Sequence, residues 1–69
     1  MLYAHIIVVG KKGNSFMVDL NDTERIYDIM TDVTDNDIEI ASEAETWSTS
    51  ATLGDTYEFR EGVIEVVEN

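Results

Sequence analysis

The sequence predicts a small α+β protein in which about five short strands form one antiparallel or mixed sheet that packs on a single helix. Three observations support this fold class. Two apolar, β-branched stretches open the chain, an amphipathic helical pattern follows them, and short apolar stretches separated by turn residues occupy the rest. The predicted order of elements is therefore ββαβββ.

The chain length is that of one small domain, so residues 1–69 are expected to form a single domain. At this size, folding buries only about 60% of the surface of the unfolded chain. Hydrophobic residues make up 43% of the sequence, which is normal for a globular protein, so the high charge does not indicate disorder. Because the chain has no cysteine, disulfides cannot add stability, and association into a homodimer is one way to supply it.

The first two strands are predicted at LYAHIIVV (residues 2–9) and SFMVDL (residues 15–20), joined by a turn at GKKGN. A helix is predicted next, with Asn21 as its N-cap and Glu24 completing an Asn-based capping box. Its apolar stripe has helical spacing and consists of Ile26, Ile29, Met30 and Val33. The opposite arc contains Glu24, Asp28, Thr31, Asp32 and Asp35. Asp32 and Asp35 lie near the predicted C-terminal end, where the helix dipole disfavours a negative charge by about 0.3–1 kcal/mol.

Residues 37–49, DIEIASEAETWST, fit two patterns. The first four alternate acidic and apolar side chains, as in a strand, whereas Ile40, Ala44 and Trp47 have helical spacing. The alternation favours strands with a break near SEAE. Three further strands are predicted at TWSTSAT, TYEF and VIEVVE, with turns at LGD and REG.

The first half of the chain therefore contains a strand that opens at Met1, a glycine-containing turn, a second strand and a capped helix. This order resembles that of a ubiquitin-like β-grasp fold. The sequence ends in VVEN and not in Gly-Gly, so the resemblance implies no conjugation or sulfur-carrier chemistry.

Negative charge is the most unusual property of the sequence, which has 15 acidic and four basic residues and a net charge of −11. Residues 1–18 contain Lys11, Lys12 and no acid, whereas residues 19–45 contain ten acids and the single base Arg25. One surface is thus expected to be strongly negative. Direct binding to nucleic acid or to an anionic membrane requires Lys and Arg, so neither is expected, and a basic protein is the expected partner.

Few side chains offer catalytic or metal-binding chemistry. His5 is the only histidine and lies within the first predicted strand, and the serines show no nucleophile-elbow pattern. DNDIE supplies three carboxylates in the spacing of an EF-hand loop, but Ile40 stands where that loop needs glycine and Thr46 where it needs a bidentate glutamate. GKKGNS lacks the spacing of a phosphate-binding loop. The sequence predicts no enzymatic activity, no metal site and no cofactor.

Three interpretations of the acidity remain open. In the first, the surface copies the charge of nucleic acid, because helical acids about every 5–6 Å form a sparser version of phosphates spaced ~3.4 Å along one strand. In size, acidity and lack of cysteine the chain resembles small phage-encoded inhibitors, namely anti-restriction, anti-CRISPR and uracil-glycosylase-inhibiting proteins. The second is a general interaction module with an acidic surface, and the third is a halophile-type adaptation to high salt.

The favoured prediction is a non-enzymatic inhibitor that acts as a DNA mimic in the basic groove of a DNA- or RNA-binding protein. The residues expected to bind this partner are Glu24, Asp28, Asp32, Asp35, Asp37, Glu39, Glu43, Glu45 and Trp47, the last as an aromatic anchor. Three of the other aromatic residues, Phe16, Tyr57 and Phe59, are expected in the core. Met1 leads directly into an apolar run with no basic segment, so a cytoplasmic location is expected, in the host cell if the protein is phage-encoded.

Overall fold

The computed structural model describes residues 1–10 and 14–69. Its elements, in chain order, are β1 (Leu2–Val8), β2 (Ser15–Asp19), α1 (Thr23–Val33), α2 (Ile38–Ser48), β3 (Thr56–Phe59) and β4 (Gly62–Glu68). The α+β class is confirmed. The described residues contain four strands and two helices in the order ββααββ, so the predicted strand count and the order ββαβββ are wrong.

The four strands form one antiparallel sheet with the order β2-β1-β4-β3. The strands predicted at the two ends of the chain are confirmed to within about a residue, although the turn predicted at GKKGN includes residues 11–13, which lie outside the described residues. In the central pair, Gly62 lies opposite Val8. A Cβ atom at Gly62 would collide with the backbone carbonyl of Ile7, so close pairing of β1 with β4 requires glycine there.

Helix α1 starts one residue later than predicted, because Asp22 and not Asn21 is its N-cap. The Asp22 carboxylate accepts a hydrogen bond from the backbone N–H of Arg25 at 3.2 Å. Asn21 belongs to the preceding turn, in which its backbone N–H donates to the Asp19 carboxylate at 2.9 Å. The predicted apolar stripe is confirmed, since all of its members are buried: Ile26, Ile29, Met30 and Val33.

Helix α2 replaces the strands predicted for residues 37–49. The Asp37 carboxylate caps this helix by accepting the backbone N–H of Ile40 at 3.1 Å. Its buried residues, Ala41, Ala44 and Ser48, follow helical spacing and are small, so α2 can pack closely beside α1. The alternation at residues 37–40 is the start of a helix, and the strand predicted at TWSTSAT is wrong because α2 runs to Ser48 and turns follow it.

Both helices pack on the same face of the sheet. The core comprises their buried residues and the strand residues that face them, among them Ala4, Ile6, Val18, Ile64 and Val66. Phe16, Tyr57 and Phe59, which were predicted in the core, are partly buried at its margin. The second helix departs from the β-grasp order, so that resemblance extends only to the first half of the chain. Within the described residues, neither helix is long and apolar enough to cross a membrane.

Candidate functional site

The outer face of α2 forms a shallow groove of about 740 Å³. This α2 groove is lined by Ile38, Glu39, Ser42, Glu43, Thr46 and Trp47. Residues 39, 43 and 47 lie four positions apart, so their side chains follow one another along the helix. Ile38 is 60% exposed although it is strongly apolar. The groove therefore combines two carboxylates with an exposed aliphatic and a half-buried aromatic side chain.

A network of aromatic rings connects the α2 groove to the sheet. The ring centroids of Trp47 and Tyr57 are 5.7 Å apart, and those of Tyr57 and Phe59 are 6.3 Å apart. The hydroxyl of Tyr57 donates a hydrogen bond to Oε1 of Glu43 at 2.6 Å. Because both Trp47 and Glu43 contact a side chain of β3, one wall of the groove is held in position by the sheet.

The protonation of Tyr57 supports this contact. Partial burial, the hydrogen bond to Glu43 and the negative charges of Glu43 and Asp37 together raise the pKa of Tyr57 to about 12, with burial the largest cause. Each cause favours the neutral phenol over the phenolate. Tyr57 therefore remains a hydrogen-bond donor to Glu43 at physiological pH.

Acids of α1 line a second, smaller hollow of about 250 Å³ between α1 and β2. Asp28 and Asp32 share it with Arg25, Phe16 and Ile29. The hollow is thus less uniformly negative than the sequence alone indicates, because it includes the one base of residues 19–45. It adds two carboxylates to the same helical layer that carries the α2 groove.

The connection between the helices gives several acids a structural role. The buried Thr34 hydroxyl donates to the carbonyl of Met30 at 2.6 Å and accepts the backbone N–H of Asp37 at 3.2 Å. Asp35 adopts the left-handed backbone conformation, with φ of 56°, which Asp tolerates better than most residues. Asp37 is the α2 N-cap, and Glu39 lies in the first turn of α2, where the helix dipole favours an acid.

These roles correct one premise of the sequence analysis. Asp35 was predicted on the outer arc of the helix, near its C-terminal end, but α1 ends at Val33 and Asp35 belongs to the connection. Part of the acidity of residues 28–39 therefore serves turn formation and capping. Glu43, the other acid of the α2 groove, has no such role at a helix end.

The structure brings only some of the predicted partner-binding residues together. Glu39, Glu43 and Trp47 share the α2 groove, whereas Asp28 and Asp32 lie on α1. Glu24 is exposed in the first turn of α1, Asp35 and Asp37 lie in the connection, and Glu45 is half-buried. Ile38, Ser42, Thr46 and Tyr57 were not predicted as site residues. The helical spacing of Ile40, Ala44 and Trp47 was the signal for the helix that brings the first three together.

The described residues offer little for metal or covalent chemistry. Among residues 1–10 and 14–69, no group of three or more His, Asp or Glu side chains is placed to hold a metal ion. Ile40 and Thr46 lie within α2, so DNDIE does not begin an EF-hand loop. Comparisons with protein-family models, curated proteins and solved structures found no match.

Proposed function

We propose that this chain is a non-enzymatic, acidic protein-binding module that inhibits a nucleic-acid-binding protein by occupying its basic groove. The contact surface is the α2 groove together with Asp28 and Asp32 of α1. The observation that carries the proposal is the composition of the α2 groove, in which Glu39 and Glu43 lie beside the exposed side chain of Ile38 and the half-buried ring of Trp47.

The carboxylates supply complementarity to a basic groove. Asp28 and Asp32 on α1, and Glu39 and Glu43 on α2, are each one helical turn apart, which corresponds to about 5–6 Å between Cβ atoms. The α1 pair lies beside Phe16 of β2, and the α2 pair lies on the side of Tyr57 of β3. Because β2 and β3 are the two edges of the sheet, the two short rows are farther apart than the helix axes, which are about 8–10 Å apart in packed helices. Two rows of negative charge resemble the two phosphate backbones of a duplex, at lower charge density. Such a surface steers a basic partner and excludes acidic ones.

The apolar side chains supply binding energy that exposed charges do not. An ion pair at the surface contributes only about 0–1 kcal/mol, because solvent and salt screen it. Interfaces instead depend on a few desolvated anchors, among which Trp is enriched. Trp47 is suited to this role because Tyr57 already holds its ring in place, which lowers the entropy cost of binding.

The apolar side chains of the α2 groove also favour one alternative. In this alternative the chain is a general interaction module whose basic partner does not bind nucleic acid. Both versions require the α2 groove to contact the partner. They differ in whether the partner can hold DNA or RNA at the same time as the chain, because only a mimic occupies the nucleic-acid groove.

A two-stage binding experiment tests the proposal. The immobilised chain is exposed to cell lysate at low salt, and proteins released by high salt are identified and purified. Each is then loaded with labelled duplex DNA or with RNA and titrated with the chain. We expect a captured protein to release its nucleic acid; if it retains the nucleic acid while binding the chain, mimicry is excluded and the general module remains.

A matched pair of variants tests the surface. Glu39→Gln with Glu43→Gln removes two charges from the α2 groove, and the amide carbonyl introduced by Glu43→Gln can still accept the Tyr57 hydroxyl. Glu58→Gln with Glu68→Gln removes two exposed charges from the sheet. We expect the first variant to bind the captured protein at least about tenfold more weakly and the second to bind as the parent does. Equal affinity of the two variants would contradict the assignment of the groove.

A further inference from the structure

The face of the sheet opposite the helices is covered by neither helix. This outer sheet face carries Tyr3, His5 and Ile7 of β1, Ser15, Met17 and Asp19 of β2, Thr56 and Glu58 of β3, and Val63, Glu65 and Val67 of β4. Met17 is 54% exposed, and most of the other residues are half-buried. In the central strands, the pairs Tyr3↔Val67 and Ile7↔Val63 flank the pair His5↔Glu65, so apolar pairs lie on both sides of one polar pair.

We propose that two copies of the chain associate through their outer sheet faces and form a weak symmetric dimer. This inference is independent of the proposed function, which concerns the opposite side of the molecule.

The size of the face fits such a dimer. The central strands β1 and β4 have seven residues each. The edge strands β2 and β3 are shorter, with five and four residues. At about 3.4 Å per residue and about 4.8 Å between strands, the four-stranded face covers about 370 Å² per copy before side-chain relief is added. Specific interfaces begin at about 1,000–1,200 Å² counted over both partners. Two copies together fall below that range before side-chain relief is added, so the face supports only a weak dimer, with a dissociation constant in the micromolar to millimolar range.

The outer sheet face carries fewer acids than the helical side, which makes it the more favourable face for contact between two copies. Nine of the 15 acids lie in residues 22–45, on and between the helices, whereas the strand residues on the outer sheet face include only Asp19, Glu58 and Glu65 as acids. Sheets pack about 10 Å apart, and the helices lie on the far sides of both sheets. The two acidic layers are then separated by more than the screening length of about 8 Å at physiological salt. Any contact through the helices would instead bring these layers together.

The register of the central strands is self-complementary. A two-fold axis that runs along the strands, between β1 and β4, places β1 of one copy over β4 of the other. His5 then faces Glu65 of the second copy, and Tyr3 and Ile7 face Val67 and Val63 of the second copy. By the two-fold symmetry, each contact occurs twice. Each contact joins either two apolar side chains or His5 with Glu65.

Sedimentation equilibrium of the full chain tests the dimer. Between about 10 μM and 1 mM we expect the mean mass to rise from the 7.8 kDa of one chain towards twice that value. Added salt should strengthen this association, because it screens the repulsion between copies, whereas it should weaken binding to a basic partner. A single 7.8 kDa species at about 1 mM chain in moderate salt would overturn the proposal.

Three variants locate the interface. Met17→Glu and Val63→Glu each place a charge on the outer sheet face, and Met17 is exposed enough for its variant to fold. Ile38→Glu is the control, because it places the same charge on the similarly exposed outer side of α2. We expect the first two to weaken the dimer at least tenfold and Ile38→Glu to leave it unchanged. Dimers that survive both sheet variants, or that only Ile38→Glu disrupts, would show that another face is used.

Discussion

Glu43 and Tyr57 form the polar contact that fixes the α2 groove, and this contact joins residues 14 positions apart in the sequence. Tyr57 thereby positions a carboxylate that would otherwise sample several rotamers at a helix surface. The same phenol ring packs against Trp47. A single residue of β3 thus orders both the charged and the aromatic part of the groove.

The raised pKa of Tyr57 leads to a prediction about pH. The folded-state pKa of about 12 exceeds the ordinary value of 10.0, so the neutral phenol stabilises the folded state. This contribution is fully present below pH 10, decreases as the pH rises above that value, and is lost once the pH passes through about 12. The absorbance of tyrosinate as a function of pH, with Tyr57→Phe as the reference, should show that Tyr57 ionises above the ordinary pKa of 10.0. Glu43→Gln should lower the pKa; a parent Tyr57 that titrates near 10 would contradict the buried, hydrogen-bonded state.

Asp37 provides a second prediction at the scale of one residue. Because its carboxylate caps α2, Asp37→Ala should lower the free energy of unfolding by about 0.5–2 kcal/mol. Asp37→Asn removes the same charge but keeps a capping oxygen, so it should cost much less. Urea unfolding of both variants measures the difference. Equal losses would mean that the charge, and not the cap, stabilises the helix.

At the scale of elements, the close packing of α1 and α2 depends on small side chains. Ala41 and Ala44 are fully buried in the core. Ala44→Leu should therefore overpack the core and lower the free energy of unfolding by about 1–3 kcal/mol. Ser42→Leu, on the exposed side of the same helix, is the control and should change it by no more than about 0.5 kcal/mol. If the two substitutions cost the same, α2 does not bury its alanine face.

These alanines also explain why α2 was not predicted. Large apolar residues with unambiguous spacing identified α1, and β-branched runs identified β1, β2 and β4. In α2 the buried residues are small and contrast little with the exposed ones, while Ile38 and Ile40 alternate with acids. Ile38 is exposed, against the usual tendency of isoleucine. Two signals favoured a helix: the helical spacing of Ile40, Ala44 and Trp47, and the abundance of Ala and Glu in residues 39–45, both good helix formers.

The candidate site was predictable to a similar extent. The acids and Trp47 are apparent from composition, since their charge and size are properties of the residues themselves. The grouping of these residues is not apparent from composition. The strand interpretation positions Glu43 and Trp47 by their alternation along a strand, whereas the helix places them one turn apart. The contact of Glu43 with Tyr57 depends on how α2 packs against β3, which no local pattern encodes.

At the scale of the whole molecule, net charge makes stability depend on salt. A chain of charge −11 repels itself, and the range of this repulsion falls from about 30 Å at 0.01 M salt to about 3 Å at 1 M. We predict that the protein stays folded in dilute buffer and that its melting temperature rises modestly with salt, as measured by circular dichroism. A halophile-type protein would unfold in dilute buffer, and that outcome would favour salt adaptation over a partner-binding role for the acids.

The single tryptophan of the chain lies in the α2 groove, beside the ring of Tyr57 and one helical turn from Glu43. Its intrinsic fluorescence therefore comes from one position and needs no label. Desolvation of the half-buried indole by a docking partner should shift the emission to shorter wavelength, whereas unfolding should shift it to longer wavelength and remove energy transfer from Tyr57. Partner docking and loss of the fold thus produce optical signals of opposite sign in the same unmodified protein.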